Sequence, residues 1–348
     1  MRQPLVSIVI LNYNGKKLLD RCLTSVLNTK YSPFELILVD NASMDGSVEF
    51  VQRRFHGSNA LRIIPNKSDL GCAEASNVGA RLASGKYIVF LDNDTEVDSL
   101  WLSELVNVME TDPVAGAAQS KLLLMKERKT IDSSGDFVSC YGTVYSRGMY
   151  ERDLGQYDRQ EEVFSPRSAA MIVRKEALFS VGMFDPNFFF ILEDVDLGWR
   201  MRLHGYRILF VPKSIVYHLS GASTRKRPKS LRVFHGVKNR LAMLLKNLEL
   251  TNLARYLPGA ITLAAASIVV YIILRRPMLG LAVSSAILWN LKHLKKTWIE
   301  RIRVQSSRKV DDSQIVEAFL KRDSPPLIQL LSTYMKRTLL KGSSWIER

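Results

Sequence analysis

Short apolar runs alternate with amphipathic stretches along the first ninety residues of the chain. The run at 5–11 is rich in β-branched residues and apolar on both faces, which is typical of a strand buried within a parallel sheet. Residues 16–28 then carry apolar side chains at helical spacing. The alternation continues with predicted strands at 34–39, 61–64 and 87–91 and predicted helices at 47–55 and 69–83. This order predicts an α/β fold with a Rossmann-like, mostly parallel sheet flanked by helices.

A second group of elements is predicted between residues 101 and 223. It comprises a helix at 101–109, a polar, loop-rich insertion with short strands at 126–162, a strand at 169–173, a helix after Arg174 and a strand at 207–211. Basic residues crowd in after residue 223, and the composition changes there. We therefore expect one α/β domain over 1–223 and a basic, mainly helical region over 224–348.

The formal net charge of +15 is concentrated in that second region, since residues 1–222 carry a net charge of −2 and residues 223–348 one of +17. The region also holds two apolar segments, 257–274 and 278–291, bracketed by Arg and Lys residues. Only the first approaches the length needed to cross a bilayer. We expect a helical hairpin or re-entrant pair on an anionic membrane surface, and the alternative is a pair of buried helices in a soluble domain.

The three cysteines, Cys22, Cys72 and Cys140, are widely spaced and form no metal-binding or disulfide pattern. Their small, odd number indicates reduced thiols and therefore a cytoplasmic domain. The first apolar run is too short for the core of a signal peptide, so no such peptide is predicted. Together with the membrane-directed tail, this predicts a location on the cytoplasmic face of the cell membrane.

Polar residues follow three of the predicted strands at the point where each strand ends. The clusters are Asn12-Tyr13-Asn14-Gly15, Asp40-Asn41-Ala42-Ser43 and Asp92-Asn93-Asp94. In an open parallel sheet, ligands bind outside the carboxyl ends of the strands, so these clusters are expected to share one edge. Two carboxylates as close as Asp92 and Asp94 suit a divalent Mg²⁺ or Mn²⁺ ion that bridges to a polyphosphate. Isolated Asp-x-Asp triplets are mostly solvated loops, and the position after a buried strand favours the metal site.

Asp40 and a later acidic cluster are further candidates. Asp40 can accept hydrogen bonds from the imide of a uracil or thymine or from a ribose hydroxyl, although turn chemistry also explains an acid there. Glu193, Asp194 and Asp196 follow an apolar and aromatic run at 188–192, where burial would raise a carboxyl pKa toward that of a general base. The alternative is that these acids only begin a helix, because the helix dipole stabilises negative charge at a helix N-terminus.

Taken in order, these motifs resemble those of family 2 glycosyltransferases of the GT-A fold, in particular the rhamnosyltransferase-like branch. The resemblance covers about residues 6–223 and rests on 6–15, 39–47, 77–79, 90–94, 182–185, 193–196 and His218. It implies an inverting, metal-dependent transfer of one sugar from a UDP- or dTDP-linked donor to a hydroxyl of a glycan acceptor. The expected acceptor is a polyprenyl-linked glycan. Processive relatives carry a Gln-x-x-Arg-Trp motif that is absent here, which favours a single addition.

The resemblance also implies roles for individual residues. Asp194 would be the catalytic base, with Glu193 beside it, and Asp92, Asp94 and His218 would hold the metal. The nucleotide would be bound by Asn12, Tyr13, Asn14, Asp40, Asn41, Asn77, Asp92 and Asn93. The acceptor would be bound by Asp196 and Trp199.

Two other functions compete with this interpretation. A sugar-phosphate nucleotidyltransferase would share the fold and the metal carboxylates, but it needs a Gly-rich, Arg-containing loop after the first strand, which 12–15 is not. A non-enzymatic adaptor could bind membrane or nucleic acid through the basic tail. The tail has no module of basic residues interleaved with stacking aromatics, so no nucleic-acid partner is expected.

Overall fold

The computed structural model describes residues 3–58, 60–221 and 225–320. The strands are β1 (Val6–Asn12), β2 (Phe34–Asp40), β3 (Leu61–Pro65), β4 (Tyr87–Asp92), β5 (Thr95–Val97), β6 (Ala115–Leu124), β7 (Glu127–Ser133), β8 (Asp136–Val138), β9 (Val144–Ser146), β10 (Glu161–Glu162), β11 (Ala170–Arg174) and β12 (Arg207–His218). The helices are α1 (Lys16–Leu27), α2 (Ser47–Arg54), α3 (Gly71–Leu82), α4 (Trp101–Thr111), α5 (Lys175–Ser180), α6 (Glu193–Leu203), α7 (Lys229–Asn247), α8 (Leu250–Ile273), α9 (Pro277–Lys292), α10 (Leu294–Ser306) and α11 (Asp312–Ile315). A 3-10 turn covers Pro186–Phe188, and a short π-helix covers Val316–Leu320.

The main sheet runs in the order β10-β12-β6-β11-β4-β1-β2-β3, with β5 paired to β12 and β7 paired to β6. Strands β1, β2, β3 and β4 are mutually parallel, and β6 and β12 form a second parallel pair. Strand β11 lies between β4 and β6 and is antiparallel to both, so β6 and β12 point the same way as β1. The carboxyl ends of β1, β2, β4 and β12 therefore meet at one edge, as the predicted mostly parallel sheet requires.

The sheet is covered by helices because its strands alternate apolar side chains between two faces. Ile8 and Ile10 of β1 belong to a buried core that also includes residues of α1 and α4. The intervening Val9 faces α3, where a Cβ on Gly79 would lie 2.3 Å from Val9 Cγ1. The close helix-to-strand approach thus depends on glycine at that position, and it fixes α3 beside the carboxyl ends of β1 and β2.

Two elements differ from the sequence-based predictions. Strand β6 was not predicted, although Ala115–Leu124 is a central strand and nearly all of it is buried. Strand β12 runs on to His218 rather than ending at residue 211, because the chain bulges between the pairs Val211↔Ser120 and Ile215↔Lys121 and then rejoins β6. The predicted insertion at 126–162 does contain short strands, together with the longer β7.

The described residues divide into two compact units. The first comprises 3–137, 145–228 and 306–310, and the second comprises 138–144, 229–305 and 311–320. Residues 138–144 therefore pack with the helical unit, where Tyr141 lies edge-to-face with Tyr256 at 6.3 Å. Within the second unit, α7, α8 and α9 pack together around Ala264, Tyr271, Leu279 and Val283.

Candidate active site

A buried hydrogen-bond network joins the carboxyl ends of β1, β2 and β4. The Asn12 side-chain amide donates to Asp40 Oδ1 at 2.7 Å, and the Asn93 amide donates to Asn12 Oδ1 at 2.6 Å. The Ser43 backbone N–H donates to Asp40 Oδ2 at 2.9 Å. A Cβ on Gly15 would lie 2.1 Å from Asn93 Nδ2, so glycine is required for this close approach. Three residues that were predicted from separate strand ends are thus assembled into one cluster.

Asn14 and Asn41 tie the neighbouring loops to this cluster. The Asn14 backbone N–H donates to Ser43 Oγ at 2.8 Å, and Asn14 Oδ1 accepts from the Met44 N–H at 2.7 Å. The Asn41 amide donates to Asp69 Oδ1 at 2.6 Å, which connects β2 to the loop before α3. These hydrogen bonds connect the loops at the carboxyl ends of β1 and β2, so the polar side chains there are fixed in position.

Asn77 lies in α3 and contacts the turn before α6. Its side-chain amide donates to the Phe184 carbonyl at 2.9 Å, and its Oδ1 accepts from the Phe184 N–H at 3.0 Å. The side chain is buried. Its part in nucleotide binding stays a prediction.

Asp92, Asp94 and His218 form a group whose candidate ligand atoms all lie within 4.8 Å of one another. His218 Nε2 is 3.1 Å from Asp94 Oδ1 and 3.8 Å from Asp92 Oδ2. The Asp92 side chain is 45% exposed, whereas those of Asp94 and His218 are 3% and 6% exposed. The group is therefore anchored in the protein on two sides and open to solvent on the third, where a ligand could reach it.

A second layer orients His218. Its Nδ1 lies 2.8 Å from Asp132 Oδ2, so the imidazole donates a proton there and turns Nε2 toward Asp92 and Asp94. Asp132 is fully buried, and burial alone would raise its pKa, but His218 and Arg167 hold the pKa below its ordinary value. Asp132 lies in β7, within the insertion that seemed unpatterned in the sequence, and sequence reasoning missed it.

The electrostatics of this group fit a divalent cation. Burial lowers the pKa of His218, but Asp94 and Asp132 outweigh it and raise the pKa to about 10. The carboxylates thus attract positive charge strongly enough to keep a proton on the imidazole, and a divalent ion would satisfy the same demand. Two carboxylate ligands and one imidazole, with a carboxylate behind the imidazole, match the donor types of protein metal sites.

Asp194 and Glu193 begin α6 in distinct environments. Asp194 is partly exposed, and its Oδ2 accepts from the Ser168 N–H at 3.0 Å. Burial and Asp136 raise the pKa of Asp194, against the lowering effects of Ser168 and Arg167. Glu193 is only 8% exposed, its Oε2 has no hydrogen-bond partner among the described residues, and burial followed by Asp194 raises its pKa well above the ordinary value. Asp194 is therefore the carboxylate with access to a ligand.

The backbone before α6 is strained. Phe189, Ile191 and Leu192 all have positive φ angles, of 63°, 70° and 69°. Such conformations cost about 1–3 kcal/mol each in non-glycine residues, and they persist only where surrounding contacts enforce them. One of these contacts is to α3, where the Ala73 N–H donates to the Phe189 carbonyl at 3.2 Å. Glycine at position 71 allows this approach, since a Cβ there would lie 2.5 Å from the same oxygen. This strained segment leads directly into α6, so that Glu193 and Asp194 are the first two residues of the helix.

Arg167 lies between Asp194 and the group formed by Asp92, Asp94 and His218. Its Nη1 lies 3.2 Å from Asp132 Oδ2 and its Nε 3.3 Å from Asp136 Oδ2. The following residue, Ser168, supplies the N–H that holds Asp194. Arg167 was missed at the sequence level because a single arginine beside a predicted strand gives no pattern.

Comparison with known proteins identifies the family. The sequence profile described as glycosyl transferase family 2 matches residues 7–179, which include β1, β2 and the Asp92 and Asp94 pair. The chain belongs to glycosyl transferase family 2. The predicted family is confirmed, and the match does not distinguish the rhamnosyltransferase-like branch from others.

Relatives and solved structures agree with this family. The chain is 29% identical over 230 residues to the O-antigen biosynthesis protein RfbC of Myxococcus xanthus, a match that covers 64% of this chain and 18% of that protein. The fold is similar to GalNAc-T7 solved with UDP, GalNAc and Mn²⁺ (TM-score 0.57, 19% identity, 70% of this chain and 48% of that one). It is also similar to the mannosyltransferase PcManGT of Pyrobaculum calidifontis, solved with GDP-Man and Mn²⁺ (TM-score 0.54, 19% identity, 88% and 86%).

These likenesses confirm the GT-A fold. The first curated relatives are matched over only 18% to 50% of their own lengths, so their activities as whole proteins do not transfer directly to this glycosyltransferase family member.

Asp196 and Trp199, the predicted acceptor-binding residues, are both 0% exposed. Asp196 pairs with Arg200 at 2.8 Å one helical turn away, and Trp199 packs edge-to-face on Phe164 at 5.3 Å. Their part in acceptor binding stays a prediction.

The contact between Asp132 and His218 generates a prediction about metal binding. Asp132→Asn keeps the side-chain shape but removes the charge that fixes the imidazole, so Mn²⁺ affinity should fall roughly 10- to 100-fold. Electron paramagnetic resonance of free Mn²⁺ during titration measures this. The control is Asp20→Asn, a surface acid paired with Arg54, which should bind Mn²⁺ like the wild type. Equal affinity for both variants would contradict the assigned role.

The burial of Glu193 generates a prediction about stability. Its raised pKa means that the folded state holds a proton that the unfolded state releases, so wild-type stability falls as the pH rises above about 4.3. Glu193→Gln removes this loss. In metal-free denaturant unfolding, the variant should match the wild type near pH 4 and become progressively more stable toward neutral pH. Glu176→Gln, at an exposed position in α5, should give no such divergence. Parallel pH profiles for wild type and Glu193→Gln would refute the assignment.

Proposed function

We propose that this chain is an inverting glycosyltransferase that moves one sugar from a nucleoside-diphosphate sugar to a hydroxyl of a glycan acceptor. The observation that carries the proposal is the pairing of one partly exposed carboxylate, Asp194, with a separate group of Asp92, Asp94 and His218. The first suits a general base, and the second suits a divalent cation beside a diphosphate. Family membership and the solved relatives that hold UDP or GDP-Man with Mn²⁺ support this division of labour.

The chemistry follows from the positions of these side chains. Asp194 accepts the proton of the acceptor hydroxyl while the acceptor oxygen bonds to the anomeric carbon of the sugar. The bond from that carbon to the diphosphate oxygen breaks with its electron pair on the leaving group, and a single displacement inverts the anomeric centre. The Ser168 N–H aims the carboxylate. A divalent cation held by Asp92, Asp94 and His218 would offset the charge on the leaving diphosphate.

The donor nucleotide is proposed to contact the network of Asn12, Asp40 and Asn93. Asp40 is an acceptor-only group at the end of β2, and the imide N–H of uracil or thymine is a suitable donor to it. The proposed donor is therefore a UDP- or dTDP-linked sugar, and Mn²⁺ or Mg²⁺ is the proposed ion. The imidazole ligand favours Mn²⁺, because Mg²⁺ prefers oxygen ligands and keeps several waters.

The acceptor is proposed to be a surface glycan, on the strength of the match to an O-antigen biosynthesis protein. A polyprenyl-linked glycan fits the second unit, where α8 is long and apolar enough to cross a membrane by length and composition. Only 22% of its most apolar window is buried. The free cysteines favour the cytoplasmic face.

Exposed apolar side chains continue along three successive helices of that unit. They are Ile261, Val269, Ile272 and Ile273 on α8, Met278, Leu281, Leu288 and Leu291 on α9, and Leu294, Trp298, Ile299 and Ile302 on α10, each at least 41% exposed. Basic residues such as Arg275, Lys292 and Lys295 lie among them. Apolar side chains beside cationic ones match the chemistry of an anionic bilayer surface.

The catalytic assignment predicts the behaviour of Asp194→Asn. Loss of the base should lower turnover roughly 10²- to 10⁴-fold, while nucleoside-diphosphate affinity stays within about twofold, because the residue takes the acceptor proton and does not hold the nucleotide. A thermal-shift screen of nucleotide sugars with Mn²⁺ identifies the donor, and release of the nucleoside diphosphate measures turnover. The control is Asp98→Asn, because Asp98 is an exposed acid whose Oδ1 accepts from the Leu100 N–H just before α4. Undiminished turnover in Asp194→Asn would sink the proposal.

The membrane assignment predicts the effect of polar residues in the apolar surface of the second unit. Replacing Val269, Ile273, Leu288 and Leu291 with Gln should weaken binding to vesicles with anionic lipid at least tenfold, since each buried aliphatic side chain contributes about 1.5–3 kcal/mol. Cosedimentation of the full chain measures this. Met44→Gln with Leu154→Gln, at positions 94% and 77% exposed in the first unit, is the matched control. Vesicle binding that is the same in both variants would rule out this surface.

A further inference from the structure

Two basic residues beyond β12 return to the polar edge of the first unit. Arg227 Nη2 lies 2.8 Å from Asp69 Oδ2, in the loop before α3. Lys226 Nζ donates to the backbone carbonyl of Asn14, at the end of β1. The sequence placed these residues only in a general basic run, so their position at the proposed nucleotide-binding edge is a result of the fold.

The Arg227 guanidinium lies among three aromatic rings. It is 4.5 Å from the centroid of the Tyr13 ring, 5.1 Å from that of Phe190 and 5.3 Å from that of Phe189. The side chain is 13% exposed. Tyr13 follows β1, and the two phenylalanines precede Glu193 and Asp194. Arg227 therefore contacts two of the segments that border the proposed donor site.

The charged groups around Arg227 indicate which kind of ligand it could bind. Five aspartates lie at this edge, in loops or at the ends of strands and helices, whereas a nucleoside diphosphate is itself an anion. They are Asp40, Asp69, Asp92, Asp94 and Asp194. Arg167 is already engaged by Asp132 and Asp136. Arg227 makes one hydrogen bond among the described residues, to Asp69, and a guanidinium has five N–H donors. It retains the capacity to bind phosphate oxygens while its plane stays stacked.

We propose that Arg227, with Lys226 beside it, binds the diphosphate of the sugar donor, and that Asp69 and Tyr13 hold the guanidinium ready for it. The inference rests on the proposed function and deepens it by adding two positive charges on the nucleotide side of the metal-binding group. It also gives the chain beyond β12 a part in donor binding, because the segment 225–228 must be in place before the diphosphate is fully held.

The test compares a nucleoside diphosphate with its nucleoside on the full chain, with Mn²⁺ present. The probes are UDP, dTDP and GDP, each with the matching nucleoside, measured by calorimetry and by competition. Arg227→Ala should weaken diphosphate binding at least tenfold and nucleoside binding by less than threefold. Arg227→Lys should recover part of the loss, since it keeps the charge without the planar fork. Lys226→Gln, at an exposed position, should weaken diphosphate binding about threefold.

Arg54→Ala is the matched control, because Arg54 also pairs with an acid, Asp20, and also lies over a ring, Phe55 at 5.3 Å, but on a remote surface. It should bind every probe like the wild type. Equal losses for diphosphate and nucleoside, or no loss, overturn the inference. If Arg227→Ala does not fold, Arg227→Lys and Lys226→Gln decide by the same comparison. A wild type that binds none of the diphosphates refutes the proposed function itself, whereas retained binding by the variants refutes only this inference.

Discussion

Negative charge crowded at the carboxyl edge of the sheet is the constraint on which the rest of the site depends. Asp92, Asp94 and Asp132 surround one imidazole, and like charges so close together are stable only with a cation between them. The protein supplies part of the compensating positive charge itself, through His218 and Arg167. It leaves the outer side at Asp92 open, where the proposed divalent ion would supply the remaining positive charge.

The sheet makes this crowding possible because its paired strands hold the strand ends in fixed positions. Each polar residue then begins a loop at the end of a strand, and the loops hold one another through side-chain amides such as those of Asn12 and Asn93. The same rigidity allows strain before α6, where Ile191 and Leu192 take positive φ angles. Packing compensates the strain. The strained segment places Asp194 at the edge of the sheet, where its carboxylate accepts a hydrogen bond from the Ser168 N–H.

The second unit follows a different physical rule. Its helices pack around a small apolar core, yet they leave large aliphatic side chains on the outside, for example Ile273 at 73% exposure. In water such a surface is costly, whereas at a bilayer it stabilises the bound state. Positive charge concentrated in residues 223–348 adds attraction to anionic lipid. The proposed catalytic group and the proposed membrane-binding surface thus lie in different units with different surface chemistry.

Sequence by itself determined the parallel strands, the order of the polar clusters and the acidic residues of the site. These are local properties, because β-branched runs, helical spacing and strand-end acids can be recognised within a few residues. It missed β6, since Ala115–Leu124 is rich in small residues and its strand conformation comes from pairing with β11 and β12. It did not show that Asp196 and Trp199 are buried, because the side of α6 that faces the core depends on what packs there.

Only the tertiary structure brought Asp132, Arg167 and Arg227 to the site. Each comes from a segment with no pattern of its own, and each contacts a partner far away in the chain. The partner of Asp132 is His218, the partners of Arg167 are Asp132 and Asp136, and those of Arg227 are Asp69 and Tyr13. The physical reason is that charge compensation depends on distance in space. The acids whose negative charge must be compensated occur in local sequence motifs. The groups that compensate this charge can come from any part of the chain that the fold places nearby.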